Sequence, residues 1–233
     1  GCAAVTPDNT MLVFKAKGKV SNLEEKTKEC QQPCTLGIAH TRWATHGIPS
    51  ETNAHPHLSQ SGNLAIVHNG IIENYATLRD QLRKRGYTFK SETDTEVLVQ
   101  LIEYIMNIRH SDLATSVRSA LRLCIGAYAI AVVDRRVPTQ MVAARKSSPL
   151  AIGIGKENGE FFIASDASPI AEYTNRIVYL NDEDVALIEQ GKELQIENLH
   201  SGSVDYEIKE VDLDLTMLDK GGFPHFMLKE IFD

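Results

Sequence analysis

Several features are scarce or missing in this sequence, and each absence narrows what the protein can do. No apolar run approaches the roughly 18 to 20 residues that a membrane-spanning helix needs, and there is no basic-then-apolar signal segment. The net charge of -7 argues against nucleic acid as the main partner, because binding phosphate needs a basic face. The four cysteines are too few and too scattered for a disulfide framework. We therefore expect a cytoplasmic protein that binds neither nucleic acid nor membranes.

The hydrophobic pattern of the 233 residues predicts an α+β fold. Apolar residues recur at helical spacing after Ile72, and residues 93–96 (Thr-Asp-Thr-Glu) have the pattern of a capping box that opens a second helix. Residues 63–68 form a strand-like run that an Asn69-Gly70 turn would stop, and residues 87–89 are short and strand-like. From Gly126 onward the chain consists of short apolar runs separated by turn residues, which is typical of strands, and residues 204–215 alternate enough for a last strand or two. Helices grouped between strands favour sheets covered by helical layers over alternating βαβ units.

Residues 36–70 hold five of the eight histidines and the only tryptophan. His55 and His57 lie close in sequence, but no clustered acid or cysteine completes a zinc spacing, so neither a metal nor another cofactor is predicted. Within this stretch, apolar strand-like runs flank polar turns. Functional sites usually form in such places, because a rigid sheet holds the residues of the connecting loops in position. We expect His40 and His68 to be strand residues with satisfied hydrogen bonds, and His46 and His55 to organise loops near a site.

Two charged residues would suit the two ends of a free amino acid. Arg42, at the predicted end of a strand, could hold a carboxylate through two parallel hydrogen bonds, and Asp94, in the first turn of a helix, could bind an ammonium group. A surface arginine and a helix-capping aspartate are the alternatives, and for Asp94 alone the cap is the simpler interpretation. Asn69 and Gly70 are equally ambiguous, since Asn-Gly can form an oxyanion hole but is also the commonest tight-turn dipeptide.

Several longer motifs occur in one order and carry a family resemblance. They are Thr41-Arg42-Trp43-Ala44-Thr45-His46-Gly47, Asn53-Ala54-His55-Pro56-His57, His68-Asn69-Gly70-Ile71-Ile72-Glu73-Asn74 and Ser91-Glu92-Thr93-Asp94-Thr95-Glu96. Together they resemble the glutaminase domain of the glucosamine-6-phosphate synthases, which are class II glutamine amidotransferases. The likeness extends over nearly the whole chain.

The resemblance implies a four-layer αββα fold of the N-terminal-nucleophile hydrolases. In this family a first-residue cysteine attacks the side-chain amide of glutamine, with its own α-amine as the base. Carried over by motif, Asn69 and Gly70 stabilise the oxyanion. The residues that would bind glutamine, or line and support its site, are Arg42, Trp43, Thr45, His46, His55 and Asp94.

The beginning of the sequence departs from the family pattern. The family starts with Cys-Gly-Ile and has a Tyr-Arg-Gly-Tyr-Asp-Ser-Ala-Gly run before the strand that leads to Arg42, and here only Gly1 fits, as the last glycine of that run. Cys2 is then expected to be a strand residue, because its nitrogen is an amide that cannot act as a base. We expect the first strand and helix of the fold to be missing and this chain alone not to hydrolyse glutamine.

The resemblance also implies a domain organisation. Residues 1–222 would form the amidotransferase domain, and residues 223–233 would begin a linker to a sugar isomerase domain of the same parent chain, the whole being a homodimer. Ammonia released from glutamine would pass to that domain and aminate fructose 6-phosphate, giving glucosamine 6-phosphate for amino-sugar biosynthesis. Two alternatives remain: the glutaminase domain of another class II enzyme such as amidophosphoribosyltransferase, and a non-catalytic module with a glutamine site.

Overall fold

The computed structural model describes residues 1–42, 46–156 and 159–211. The strands are β1 (Cys2–Val5), β2 (Met11–Phe14), β3 (Leu36–Ala39), β4 (His57–Leu58), β5 (Leu64–Ile72), β6 (Gly126–Asp134), β7 (Gln140–Lys146), β8 (Ala151–Ile154), β9 (Phe161–Ala164), β10 (Arg176–Tyr179), β11 (Asp184–Glu189), β12 (Gln195–Asn198), β13 (Gly202–Ser203) and β14 (Lys209–Glu210). The helices are α1 (Val20–Thr27), α2 (Tyr75–Arg83), α3 (Asp94–Arg109) and α4 (Leu113–Leu121), with a 3₁₀ helix at Ser168–Ile170. None of the helices described is long and apolar enough to cross a bilayer.

A seven-stranded antiparallel sheet in the order β13-β12-β11-β7-β6-β5-β4 forms the middle of the structure. Its central strand β6 is apolar on both faces. Tyr128, Ile130 and Val132 join the core beneath α2, α3 and α4. Ala129 packs with the strands on the opposite face, as do Ala131 and Val133. Because successive side chains of a strand point to opposite faces, one apolar run serves two cores.

The second β layer consists of two sheets in the orders β2-β1-β3 and β14-β10-β8-β9. Among the described residues, β3 and β9 are edge strands of these sheets, and both line a cavity of about 890 Å³. Val67, Asn69, Ala129 and Met141 of the central sheet also line this cavity. On the β10 sheet, Ile170 of the 3₁₀ helix packs against Ile177. The predicted α+β fold is confirmed: two β layers are stacked, α2, α3 and α4 pack on the central sheet, and α1 contacts β2 of the second β layer.

Helix α3 is the most buried helix, and its start follows the predicted capping box in part. Thr93 is the N-cap, and its hydroxyl accepts a hydrogen bond from the Glu96 amide. The Glu96 carboxylate does not return to the N-cap amide. It accepts instead from the amides of Lys90 and Ser91 at 2.8 and 2.6 Å, which ties the preceding loop to the helix.

Several predicted local features differ in the structure. Asn69-Gly70 is not a turn that stops a strand, because β5 continues through it to Ile72 and pairs these two residues with Ala129 and Tyr128. Residues 87–89 form no strand, although two of them are aromatic. His40 lies one residue beyond β3 and is not a strand residue. Of the last strand or two predicted within residues 204–215, the described part, which ends at residue 211, contains only the short β14. The predicted linker 223–233 lies outside the described residues.

Candidate functional site

Arg42 and Asp94 lie on the same side of the molecule, joined through the segment that begins at His46. The Arg42 guanidinium donates from Nη2 to the carbonyl oxygens of His46 and Gly47. The ring Nδ1 of His46 in turn lies 3.8 Å from Asp94 Oδ1. Burial lowers the pKa of Arg42, and the nearby negative charges of Asp94 and then Glu92 partly oppose this shift. The two predicted ligand-binding charges therefore act on one another.

Asp94 is the first residue of α3, and its carboxylate binds the end of β5. Oδ2 accepts a hydrogen bond of 2.8 Å from the Ile72 amide, and Oδ1 accepts one of 3.0 Å from the amide of Thr95. Thr93 is the N-cap, while Asp94 is an acid of the first turn, where its charge also complements the helix dipole. Each carboxylate oxygen keeps one further lone pair with which it can accept a donor.

The charge of Asp94 is buried without a cationic side chain beside it. The residue is 3% exposed, and among the described residues only the rings of His46 and His68 come within 4.0 Å as basic partners. Burial lowers the pKa of His68, an effect that the charge of Asp94 partly opposes. Arg42 acts on this carboxylate only from beyond 4.0 Å, and burying a charge without a close ion pair is costly, so a ligand ammonium would relieve that cost.

Asn69 and Gly70 occupy the end of β5 at the cavity between the two β layers. Asn69 pairs with Ala129, whose side chain faces the second layer, and the exposed Asn69 side chain lines the cavity. Gly70 has φ 128°, and a Cβ added there would lie 2.2 Å from the Ala127 carbonyl oxygen. The backbone conformation at residue 70 therefore requires glycine.

A group of histidines and threonines lies behind these residues. The rings of His40 and His55 are 4.4 Å apart between centroids, and those of His55 and His57 are 5.1 Å apart. The Thr95 hydroxyl joins His55 Nε2 at 2.9 Å to His68 Nδ1 at 3.1 Å. Burial lowers the pKa of His57 to about 3 and lowers that of His55 further, so these rings are neutral near pH 7.

The structure thus brings together five of the predicted site residues and arranges them in two groups. Arg42, His46 and Asp94 form one group, while Asn69 lines the neighbouring cavity and Gly70 follows it in β5. His55 is 5% exposed and lies behind the site as a support. Trp43 and Thr45 lie outside the described residues.

Two structural residues of the site region were not assigned a role from the sequence. Asn53 holds the loop to the start of α3, donating from Nδ2 to Ile48 O and Glu92 Oε2 and accepting from the Glu92 amide, each at 3.0 Å. Thr95 bridges two buried rings. The motif at residues 53–57 was the sequence signal for Asn53. The bridging role of Thr95 has no such signal, because it depends on tertiary contacts.

Cys2 lies in β1 between Phe14 and Ala39, as predicted for a strand residue. Its backbone nitrogen is a peptide amide, and burial raises the pKa of its thiol. Burial also raises the pKa of the Cys124 thiol, to about 12. Neither environment favours the thiolate that a nucleophilic cysteine needs.

Comparison with known sequences gives consistent matches. Residues 40–172, more than half of the chain, match the family described as "Glutamine amidotransferase domain". The whole chain is 55% identical to the glutamine–fructose-6-phosphate aminotransferase (isomerizing) of Bacteroides thetaiotaomicron. Over 97% of its length it is 50% identical to the enzyme of that name from Chlorobaculum tepidum. The chain spans 38% and 37% of the length of these two relatives.

Comparison with solved structures gives the fold. The glutamine phosphoribosylpyrophosphate amidotransferase of B. subtilis, solved with ADP and GMP, superposes with a TM-score of 0.71 at 23% identity, covering 87% of this chain and 43% of that one. A structure described as the allosteric regulatory enzyme of purine biosynthesis superposes with a TM-score of 0.70 at 25% identity, covering 85% of this chain and 42% of that one. These neighbours have the predicted N-terminal-nucleophile hydrolase fold.

Proposed function

The chain belongs to the glutamine amidotransferase family, and from this we propose that it is the glutamine-hydrolysing domain of a glutamine–fructose-6-phosphate aminotransferase. Fructose 6-phosphate as the acceptor of the ammonia is supported by the relatives of that name, which are 43% to 55% identical over nearly the whole chain. The amidophosphoribosyltransferase alternative has weaker support, since the matching structures that bear on it are 23% and 25% identical.

The buried carboxylate of Asp94 is the observation that carries the proposal. We assign to Asp94 the α-ammonium group of glutamine, because it has one open lone pair on each oxygen and no lysine or arginine of the described residues beside it. Arg42 would take the α-carboxylate with its planar fork, an assignment supported by its contacts to the carbonyls of His46 and Gly47, since the His46 ring lies near Asp94. One charge of each sign suits a zwitterionic amino acid.

The side-chain amide of the bound glutamine would then lie towards Asn69 and Gly70. When a thiolate attacks this carbonyl carbon, the oxygen gains negative charge, and we assign its stabilisation to the Asn69 carboxamide and the Gly70 amide. The proton taken from the thiol by the base passes to the amide nitrogen, so ammonia leaves as the C–N bond breaks and a glutamyl thioester forms. Water then hydrolyses the thioester to glutamate and restores the thiol. The binding and oxyanion roles are thus assigned to described residues, but the role of nucleophile is not assigned to Cys2, which has neither a free α-amine nor a lowered pKa.

Further assignments follow from the same family. We propose that the released ammonia is used by a sugar isomerase domain of the same parent chain, that residues 1–222 are the amidotransferase domain, and that the parent enzyme is a cytoplasmic homodimer. Sedimentation of the gene product at its natural length tests whether it is a homodimer, and a monomer at micromolar concentration would contradict the dimer.

The acceptor is tested by supplying glutamine to the gene product at its natural length with one of two sugars. We expect glucosamine 6-phosphate from fructose 6-phosphate and no amine from phosphoribosyl pyrophosphate. The reverse result would favour the purine enzyme. Glutamate formation without an aminated sugar would contradict the acceptor only, and binding of glutamate without any hydrolysis would favour a non-catalytic glutamine-site module.

A further inference from the structure

The orientation of the Asn69 carboxamide is determined by a neighbouring ring. His40 Nε2 lies 2.7 Å from Asn69 Oδ1. Since a carbonyl oxygen only accepts hydrogen bonds, Nε2 must carry the proton. The NH₂ group of Asn69 is then the end that is left to bind another acceptor. If the carboxamide were rotated by half a turn, its oxygen would occupy that position and would repel an oxyanion.

The second nitrogen of the His40 ring supports the same assignment. Nδ1 is buried and has no hydrogen-bond partner among the described residues. A proton on Nδ1 would therefore be an unsatisfied buried donor, and it would leave the Nε2 lone pair facing the Asn69 oxygen. The neutral ring with its proton on Nε2 avoids both costs. Burial lowers the pKa of His40, which favours the neutral ring, and the bond to Asn69 partly opposes this shift.

The position of the His40 ring is itself supported by buried neighbours. It lies against the His55 ring, tilted by 48°, and His55 Nε2 is held by the Thr95 hydroxyl next to Asp94. No contact joins His40 directly to the carboxylate of Asp94 or to the carbonyls that Arg42 binds, among the residues described. The side-chain hydrogen bond of the ring is therefore made to the Asn69 end of the site, and Arg42 acts on the ring only through its charge.

We infer that His40 is a positioning residue: its Nε2–H group holds Asn69 so that the NH₂ group faces the oxyanion of the glutaminase reaction. The inference rests on the proposed function, because it assumes that Asn69 is an oxyanion donor. The inference predicts different effects on catalysis and on binding. Loss of His40 should impair the stabilisation of the transition state and leave glutamine binding by Arg42 and Asp94 intact.

The test compares four variants of the gene product at its natural length. His40→Leu removes the donor, His40→Gln keeps an N–H donor near the position of Nε2, Asn69→Ala removes the proposed oxyanion group, and the fourth variant combines H40L with N69A. Loss of an oxyanion donor lowers kcat about a hundredfold or more, so we expect about a tenfold to hundredfold loss in H40L with KM within about threefold. H40Q should recover most of that loss, and the double variant should be no slower than N69A.

Each contrary outcome has a separate meaning. If N69A keeps the wild-type kcat, the oxyanion role of Asn69 fails and the inference fails with it. If N69A is slow but H40L is not, or if the two losses multiply in the double variant, only the inference is overturned. An increase in KM alone in H40L also overturns it.

A folding control accompanies these kinetics. Calorimetric binding of glutamate should be retained in H40L, which shows that the amino-acid end of the site is intact. If H40L does not fold, His40→Asn replaces it, because its amide is too short to reach Asn69 but the side chain remains polar. A value of kcat in H40N equal to that of H40Q would overturn the inference.

Discussion

The carboxylate of Asp94 accepts a 2.8 Å hydrogen bond from the backbone amide of Ile72. This contact joins the first residue of α3 to the last residue of β5, two residues beyond Gly70. Asn69 and Gly70 are thus held in register with the proposed ammonium-binding group by a buried contact. A helix start and a strand end are rigid elements, so the two ends of the site keep a fixed separation.

Asp94→Asn should weaken the binding of glutamine. The carboxamide oxygen can still accept from Ile72, but the negative charge is lost. Charge-assisted hydrogen bonds are worth about 1.5–3 kcal/mol, so KM for glutamine and Kd for glutamate should rise on the order of tenfold to a hundredfold. Steady-state kinetics and calorimetry measure both. Asp80→Asn is the control, since it neutralises an exposed acid of α2 away from the site and should change KM by less than about threefold. Equal effects of D94N and D80N would contradict the assignment.

Arg42→Ala should also raise KM for glutamine, by about a hundredfold, because the α-carboxylate loses its bidentate partner. Arg42→Lys should recover little, since an ammonium group cannot reproduce the planar fork. Arg83→Ala, on the exposed surface of α2, is the control and should behave as the wild type. An unchanged KM in R42A would remove Arg42 from the site.

The layered fold was predictable because its signals are local. Apart from Asp134, every buried position of β6 is apolar, and the apolar residues of α3 recur at helical spacing, so both patterns indicate their elements directly. The Asn69-Gly70 pair was predicted wrongly as a turn for the same reason. A tight turn and this strand both use a glycine with positive φ, and the dipeptide alone does not distinguish them.

The site was only partly predictable, because its contacts join distant parts of the chain. Arg42 and Asp94 have suitable charges, but their convergence was expected from family resemblance and not from local pattern. The bond between His40 and Asn69 joins a residue just beyond β3 to the central sheet, and no sequence spacing indicates it. Such contacts are determined by how the layers stack.

Helix α3 offers a test of the core with two isoleucines. Ile102 is 0% exposed and packs beneath the helical layer, whereas Ile108 on the same helix is 55% exposed. Ile102→Ala should lower the free energy of unfolding by about 2–5 kcal/mol, through lost burial and the cavity that remains. Ile108→Ala should cost less than about 1 kcal/mol. Urea denaturation measures both, and similar costs would show that α3 is not packed as described.

The buried histidines should make the protein less stable as the pH falls. Burial lowers the pKa of His57 to about 3, well below the value of about 6.5 expected in the unfolded chain. Between these values the unfolded state binds more protons, so the free energy of unfolding decreases as the pH is lowered from 6.5 towards 3. His57→Asn cannot take up that proton and should show a shallower slope between pH 6 and pH 4. Denaturation curves at several pH values measure the slope, and parallel slopes in the two proteins would contradict the assignment.

Gly70→Ala should damage both stability and catalysis, because two separate constraints act at this position. The φ of 128° is strained for any residue with a Cβ, and the added methyl would lie 2.2 Å from the Ala127 carbonyl oxygen, in the strand paired with β5. Relief of that contact would move β5 away from β6 and shift Asn69 with it. We expect a loss of about 1–3 kcal/mol in the free energy of unfolding.

Gly62→Ala is the matched control for this substitution. Gly62 also has positive φ, at 73°, but a Cβ there would meet no atom within 4 Å. It therefore shares the backbone cost without the clash and lies outside the proposed site. In the folded fraction of each variant, kcat for glutamine hydrolysis should fall at least about tenfold in G70A, because the oxyanion donors are displaced, and remain unchanged in G62A. If G70A loses stability but keeps its kcat, Gly70 serves the pairing of β5 with β6 alone and not the chemistry.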